Sequence, residues 1–377
     1  MSSYTNADEL YFSKIFNSGV YTYNGEMLSA LPLPDPFTDQ HEVPLLENIL
    51  THEKYFLKKI KLYQSVNTIN EYRDKILYPC VGFASWPADL VELKEETRVS
   101  AAVRHYYLED EQGAVLIPSD HALLFRYDPA SGTGGYPPCM TLDVWMRGAS
   151  GGENNYRNPN IRKVAVNLTR AIQKVNAYNY HFHDFHLSRF MVGSRLDVHP
   201  DFSPLLALNG NVRFDVSYGW MPLEFADPYI AINNVTSGSG IKKLHQPDVH
   251  SQNFSLASLL FFLLFGRKPY DGHQLMGRED DVNNRFTHYD YMVNYYLKES
   301  NIEFIFDPSE NNRNRITTDV TDMFGATIEL WEAAPEALRD LFLLTFKTSN
   351  ALRRREPVTP DPEQWLQCFS DIGWMDE

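Results

Sequence analysis

Several things are scarce in this sequence, and each scarcity excludes a class of protein. Basic residues are outnumbered, 34 Lys+Arg against 49 Asp+Glu, for a formal charge of −15. A chain this acidic is not built for broad contact with a phosphate backbone, although Arg353-Arg354-Arg355 forms one local basic patch. Cysteine is nearly absent. Cys80, Cys139 and Cys368 are far apart and odd in number, with no C-x-x-C pair, which excludes a disulfide framework and a cysteine zinc site and fits a reducing compartment. Long apolar runs are missing too, the longest being Leu259–Phe265, so no segment reads as a membrane-spanning helix. The N-terminus lacks a basic region followed by an apolar one, and the expectation is a cytoplasmic protein without membrane attachment. There is no internal repeat. The Gly-rich segment at Gly132–Gly135 lacks the Lys-Ser/Thr that completes a P-loop and reads as a flexible insertion.

What is present suits a large core: 43% hydrophobic and 14% aromatic residues. Residues 1–36, with the Pro cluster at 32–36, show no sustained period and read as an N-terminal extension. Glu53–Tyr63 interleaves apolar residues with lysines and suits a half-buried strand. Asn67–Leu77 suits a helix, and Val99–Pro118 suits a hairpin around Asp110–Gly113. Residues 119–158, whose ends are rich in Gly, Pro, Ser and Asn, read as an insertion that finishes a first lobe near 158. The remainder is helical. Val164, Leu168, Ile172 and Val175 line one face of a helix over Ile161–Tyr178, Ser255–Phe265 is a nearly all-apolar helix, and Ala337–Thr348 and Pro362–Cys368 are amphipathic. Strands first and helices later make an α+β chain.

The chemistry-bearing residues come in a fixed order. Phe182-His183-Asp184-Phe185-His186-Leu187-Ser188-Arg189 follows the first long helix, and Val212-Arg213-Phe214-Asp215 presents a second Asp at the end of a β-like run. Gln252 then precedes the apolar helix, which ends in Gly266-Arg-Lys-Pro-Tyr-Asp-Gly272. This order resembles the helical lobe of a protein kinase, whose central helix ends in a G-R-x-P-[FY]-x-G turn. Trp86-Pro-Ala-Asp-Leu-Val91, Gly113-Ala-Val-Leu-Ile-Pro118, Leu341–Phe346 and Glu356–Trp365 extend the likeness over roughly residues 37–370. They resemble bacterial kinase-like proteins of tellurite-resistance and von Willebrand-type gene clusters. The resemblance implies a two-lobed fold, with a strand-rich N-lobe over 37–158 and a helical C-lobe over 159–377.

It also implies roles for individual residues. A kinase works by positioning and charge neutralisation, with a lysine on the phosphates, a glutamate on the lysine, and acidic or amide residues on Mg²⁺. Asp184 matches the catalytic Asp, and Asp215, followed by Val-Ser, is matched to the metal-binding Asp. Lys58 or Lys59 matches the phosphate lysine; only one of two consecutive strand residues can face inward, and Lys58 with Glu71 is the chosen pair. Two positions are degenerate. Arg189 replaces the metal-binding Asn, and a guanidinium has no acceptor atom. Gln252 replaces the Asp that braces the catalytic loop. The family's glycine-rich loop aligns with Phe37–Leu46, which has no glycine, so its backbone cannot approach phosphates closely.

The expectation is a catalytically degenerate kinase, a pseudokinase serving as a regulatory or scaffolding module in stress response or defence. ATP and Mg²⁺ would be held weakly or not at all. The resemblance implies protein partners, such as a von Willebrand-type domain protein or a PP2C-like phosphatase. Retention of both aspartates keeps open an active Ser/Thr kinase using ATP and a single Mg²⁺. A third reading takes His181, His183 and His186 as metal ligands of a hydrolase, with His245 or His250 completing the set.

Overall fold

The computed structural model describes residues 9–12, 20–23, 26–31, 45–48, 54–63, 89–95, 108–109, 115–116, 118–127, 139–148, 153–178, 180–182, 185–201, 206–208, 225, 227, 248–272, 303–309, 312, 314–317, 321–347 and 359–375. They belong to two units. One comprises Met1–Thr141, Met191–Arg195 and His199–Pro204; the other comprises Leu142–Phe190, Leu196–Val198 and Leu205–Glu377.

The first unit is built on strands. Its main sheet joins β1 (Glu9–Phe12), β2 (Val20–Tyr23), β3 (Glu26–Leu31), β4 (Leu45–Asn48), β5 (Lys54–Tyr63) and β6 (Asp89–Glu95) with β9 (Pro118–Tyr127). The order is β1-β2-β3-β4-β5-β9-β6, closed into a barrel by β1 running parallel to β6, with Glu9 opposite Glu92. Among the described residues this closure leaves the barrel itself without an edge strand. The longest pairing is β5 with β9, antiparallel from Lys54 opposite Tyr127 to Tyr63 opposite Pro118. Pro118 stands at the first position of its strand, where its missing N–H costs least. Separately, β7 (Leu108–Glu109) pairs antiparallel with β8 (Val115–Leu116).

Three of the expected segments fall in this unit. Within residues 1–36, read in sequence as an extension, β1, β2 and β3 pair into the barrel. Within 119–158, read as an insertion, the apolar run Ala122-Leu-Leu-Phe125 belongs to β9, and β10 (Cys139–Thr141) pairs with β12 (Phe190–Gly193). The units divide at Thr141 and Leu142 rather than near 158, and the chain later returns to the first unit at Met191–Arg195 and His199–Pro204. In that return β12 is followed by β13 (Val198–Pro200), in a three-stranded sheet of order β10-β12-β13. The helix expected over Asn67–Leu77 lies outside the described residues.

The second unit is helical. After α1 (Leu142–Gly148), Asn158 caps α2 (Pro159–Ala177) by accepting from the Asn160 N–H at 2.9 Å, and Pro159 takes the first turn, where its lost N–H is harmless. Val164, Leu168, Ile172 and Val175 are fully buried on one face. β11 (Tyr180–Phe182) pairs with β14 (Leu206–Leu208). Then comes α3 (Val249–Phe265), opened by a reciprocal capping box between Asp248 and Ser251 and closed by Gly266 in a left-handed conformation at φ +71°. Almost every side chain of α3 is buried, the pattern of a helix at the centre of its unit. Each fully buried Leu or Phe there contributes roughly 1.5–3 kcal/mol.

Around α3 pack α4 (Thr321–Ala333), α5 (Glu336–Phe346) and α6 (Pro362–Asp371), with ring contacts linking Phe261 to Phe304, Phe342, Phe346 and Trp331. The glycine ending the Gly266–Gly272 turn is required by contact: a Cβ at Gly272 would sit 2.1 Å from the Asn314 carbonyl oxygen. Among the described residues no helix is long and apolar enough to cross a membrane.

Candidate functional site

The residues singled out in sequence meet the structure unevenly. Asp184, His183, Glu71 and Asp215 lie outside the described residues, as do His245 and most of Phe37–Leu46. Lys58 is in β5 opposite Leu123, and Lys59 is opposite Ala122. Gln252, Arg189, His181 and His186 are all described and belong to the helical unit.

Within that unit the best-defined constellation surrounds the segment 180–190. Gln252, in the first turns of α3, is fully buried. Its Oε1 accepts from the backbone N–H of Phe182 at 2.6 Å, and its Nε2 donates to Oδ1 of Asn176 at 2.7 Å, so one side chain ties α3 to β11 and to the last turn of α2. A neutral amide does this without placing a charge in the core, where an unpaired carboxylate would be costly.

Past β11, Phe182, Phe185 and Phe190 form a triangle of buried rings with centroids 5.2–5.6 Å apart. Edge and tilted contacts of this kind favour one arrangement of the segment over many. His186 caps a 3-10 turn at Leu187–Arg189, its Nδ1 accepting from the Ser188 N–H at 3.2 Å and lying 2.7 Å from Ser188 Oγ. The Arg189 N–H donates to the His186 carbonyl at 2.9 Å. The segment is thus held at both ends and in its middle, by Gln252, by the ring triangle and by a capped turn.

The use of His186 Nδ1 in that cap leaves only Nε2 of this ring as the nitrogen through which the hydrolase reading could use it. No group of three His, Cys, Asp or Glu that could hold a metal ion occurs among the described residues. Arg189 offers donors only, so its side chain cannot serve as a Mg²⁺ ligand.

One buried acid was not singled out in the sequence: the β-like run expected before Asp215 lies outside the described residues, and Asp201 directly follows β13 and is 4% exposed. A buried acid that leaves a strand, followed by Phe202-Ser203, has the circumstances assigned in sequence to Asp215. The signal was the pair of short apolar runs Phe190–Gly193 and Val198–Pro200 around Ser194–Asp197, which form adjacent strands of one sheet.

No family model matches the chain, and no curated protein matches it.

Proposed function

We propose that the protein is a kinase-like module whose phosphotransfer chemistry has been lost and which acts in the cytoplasm as a regulatory or scaffolding partner of other proteins. The observation that carries this reading is the contact of Gln252 with the Phe182 N–H, 2.6 Å long and fully buried. A side chain from the central helix grips the backbone two residues before Asp184, as a brace for a catalytic loop would, while Arg189, five residues after Asp184, has no atom to offer a cation. The scaffold is kept and the ligand is not. Partners of the von Willebrand-type or PP2C-like kind follow from the resemblance alone and enter the proposal at that level.

Purified protein titrated with ATP, with and without Mg²⁺ or Mn²⁺, and followed by thermal unfolding tests the reading, because a ligand that binds only the folded state raises its melting temperature. The expected result is no metal-dependent shift at millimolar ATP. A clear metal-dependent shift would overturn it.

A second reading is favoured by one specific observation, the buried Asp201 ahead of Phe202. On this reading the protein is a Ser/Thr kinase in which Asp201 rather than Asp215 is the acidic group for a single Mg²⁺, Asp184 orients the acceptor hydroxyl and Lys58 holds phosphates. If Asp184→Asn leaves the cellular phenotype intact while substitutions on the surface of the helical unit abolish it, this second reading fails.

A further inference from the structure

The contacts of Gln252 have a direction that is set at one end. The backbone N–H of Phe182 can only donate, so the amide of Gln252 must turn Oε1 toward it, as it does at 2.6 Å. Nε2 then faces α2 and must donate. Asn176 must therefore present Oδ1 rather than Nδ2, and it does, at 2.7 Å. Each amide orientation follows from the one before it, and Gln252 is fully buried, so a reversed amide would leave a donor facing a donor with no water to relieve it.

This chain explains how an uncharged residue can serve at 252. A glutamine that touched only the Phe182 N–H would leave its own NH₂ buried and unmet, and rotation of the amide would cost little more than the native orientation. With Asn176 fixed opposite, only one orientation satisfies both ends. The geometry points to Asn176 as a positioning residue: through Gln252 it orients the acceptor that holds the Phe182 backbone, and so sets the posture of the segment 182–190. The inference rests on these distances and does not require the kinase reading.

Hydrogen exchange of the full-length protein, read on peptides covering 180–190, tests it against variants that differ only in polarity. Asn176→Asp keeps an acceptor facing Nε2 and should leave exchange in 180–190 within about twofold of the native rate. Asn176→Leu removes the acceptor and should speed exchange there at least tenfold, with peptides from the middle of α2 and from α3 unchanged. Gln252→Glu alone still accepts from Phe182, and Asn176 can turn its NH₂ toward the new carboxylate. Asn176→Asp combined with Gln252→Glu sets two carboxylates face to face, and the acceleration should exceed the product of the two single effects. If Asn176→Asp exchanges as fast as Asn176→Leu, or if the double variant matches the product of the singles, Asn176 does not position the loop. Should Asn176→Leu fail to fold, the Asp and Glu variants decide the matter by themselves.

Discussion

Asn167, in the middle of α2, donates through Nδ2 to the carbonyl oxygen of Leu196 at 2.8 Å, and Leu196 is the one non-glycine residue with positive φ among those described, at +64°. The left-handed region costs an ordinary L-residue roughly 1–2 kcal/mol, and a strained residue persists where its surroundings hold it. The Asn167 amide is such a hold, placed on the turn between β12 and β13 that leads to Asp201. Thr169 is fully buried and donates to the Ala165 carbonyl, and Asn167 is turned to Leu196.

Substitution at Leu196 should follow backbone preference rather than size. Leu196→Gly relieves the φ strain but loses entropy on folding, and the two effects offset to within about 1 kcal/mol. Leu196→Val adds a β-branch to a left-handed residue and should destabilise by roughly 1–2 kcal/mol more than the glycine variant. Denaturant unfolding of the two variants side by side measures the difference. Equal stabilities would show that the turn is held by the Leu196 side chain and not by its backbone.

Legibility in the sequence followed local periodicity. The buried face of α2 could be read residue by residue, because Val164, Leu168, Ile172 and Val175 recur at helical spacing and all are fully buried. The apolar run of α3 was equally plain, yet its first turns were not, since Ser251, Gln252 and Asn253 are polar and polar residues ahead of an apolar run read as a loop. They are helical because of the Asp248–Ser251 capping box, and buried because Gln252 serves a contact 70 positions away in the chain. β13 was missed for another reason. Val198-His-Pro200 contains a proline, which argues against a strand except at a sheet edge, and β13 is the edge strand of its sheet. Val212–Asp215, which reads in sequence as a β-like run ending in an Asp, lies outside the described residues. β1, β2 and β3 were obscured by the prolines that begin just after Leu31. None of these misses could be repaired by composition. Each depends on a partner that only the tertiary fold supplies.

Cys368 gives the protein a pH dependence at the alkaline end. Its thiol is 6% exposed, and burial, with a smaller push from the Asp371 carboxylate, raises its pKa from 9.0 to about 11. A group whose folded pKa lies above its unfolded value contributes stability that is full below the unfolded pKa and is lost as pH rises toward the folded one. Unfolding free energy should therefore fall between about pH 9 and 11 by on the order of 2 kcal/mol through this residue. Tyrosines and lysines titrate in the same range, so the quantity to measure is the difference between the native protein and Cys368→Ala. That difference should shrink steadily from pH 8.5 to 11. A constant difference would mean that the thiol does not titrate differently in the two states.

Arg189 allows the lost-ligand argument to be run in reverse. It closes the capped turn of the 182–190 segment, and its backbone N–H is engaged with the His186 carbonyl, so a change confined to its side chain leaves that backbone bond in place. Arg189→Asn replaces five donors by an amide with one carbonyl acceptor, the group that a kinase uses with its second acid to hold the metal. If the segment already has the posture that Gln252 and the ring triangle impose, the acceptor is the principal element missing on that side. On the proposed reading, which expects no such shift in the native protein, the variant should then acquire a Mg²⁺-dependent thermal shift with ATP, on the order of 2 °C when nucleotide is about tenfold above its dissociation constant. Arg189→Ala, which supplies no acceptor, should show no such shift. A shift of equal size in Arg189→Ala would show that the acceptor at 189 is not what holds the ion. On the proposed kinase-like reading, absence of any shift in Arg189→Asn would point instead to the glycine-free stretch at 37–46, which no change at 189 can restore.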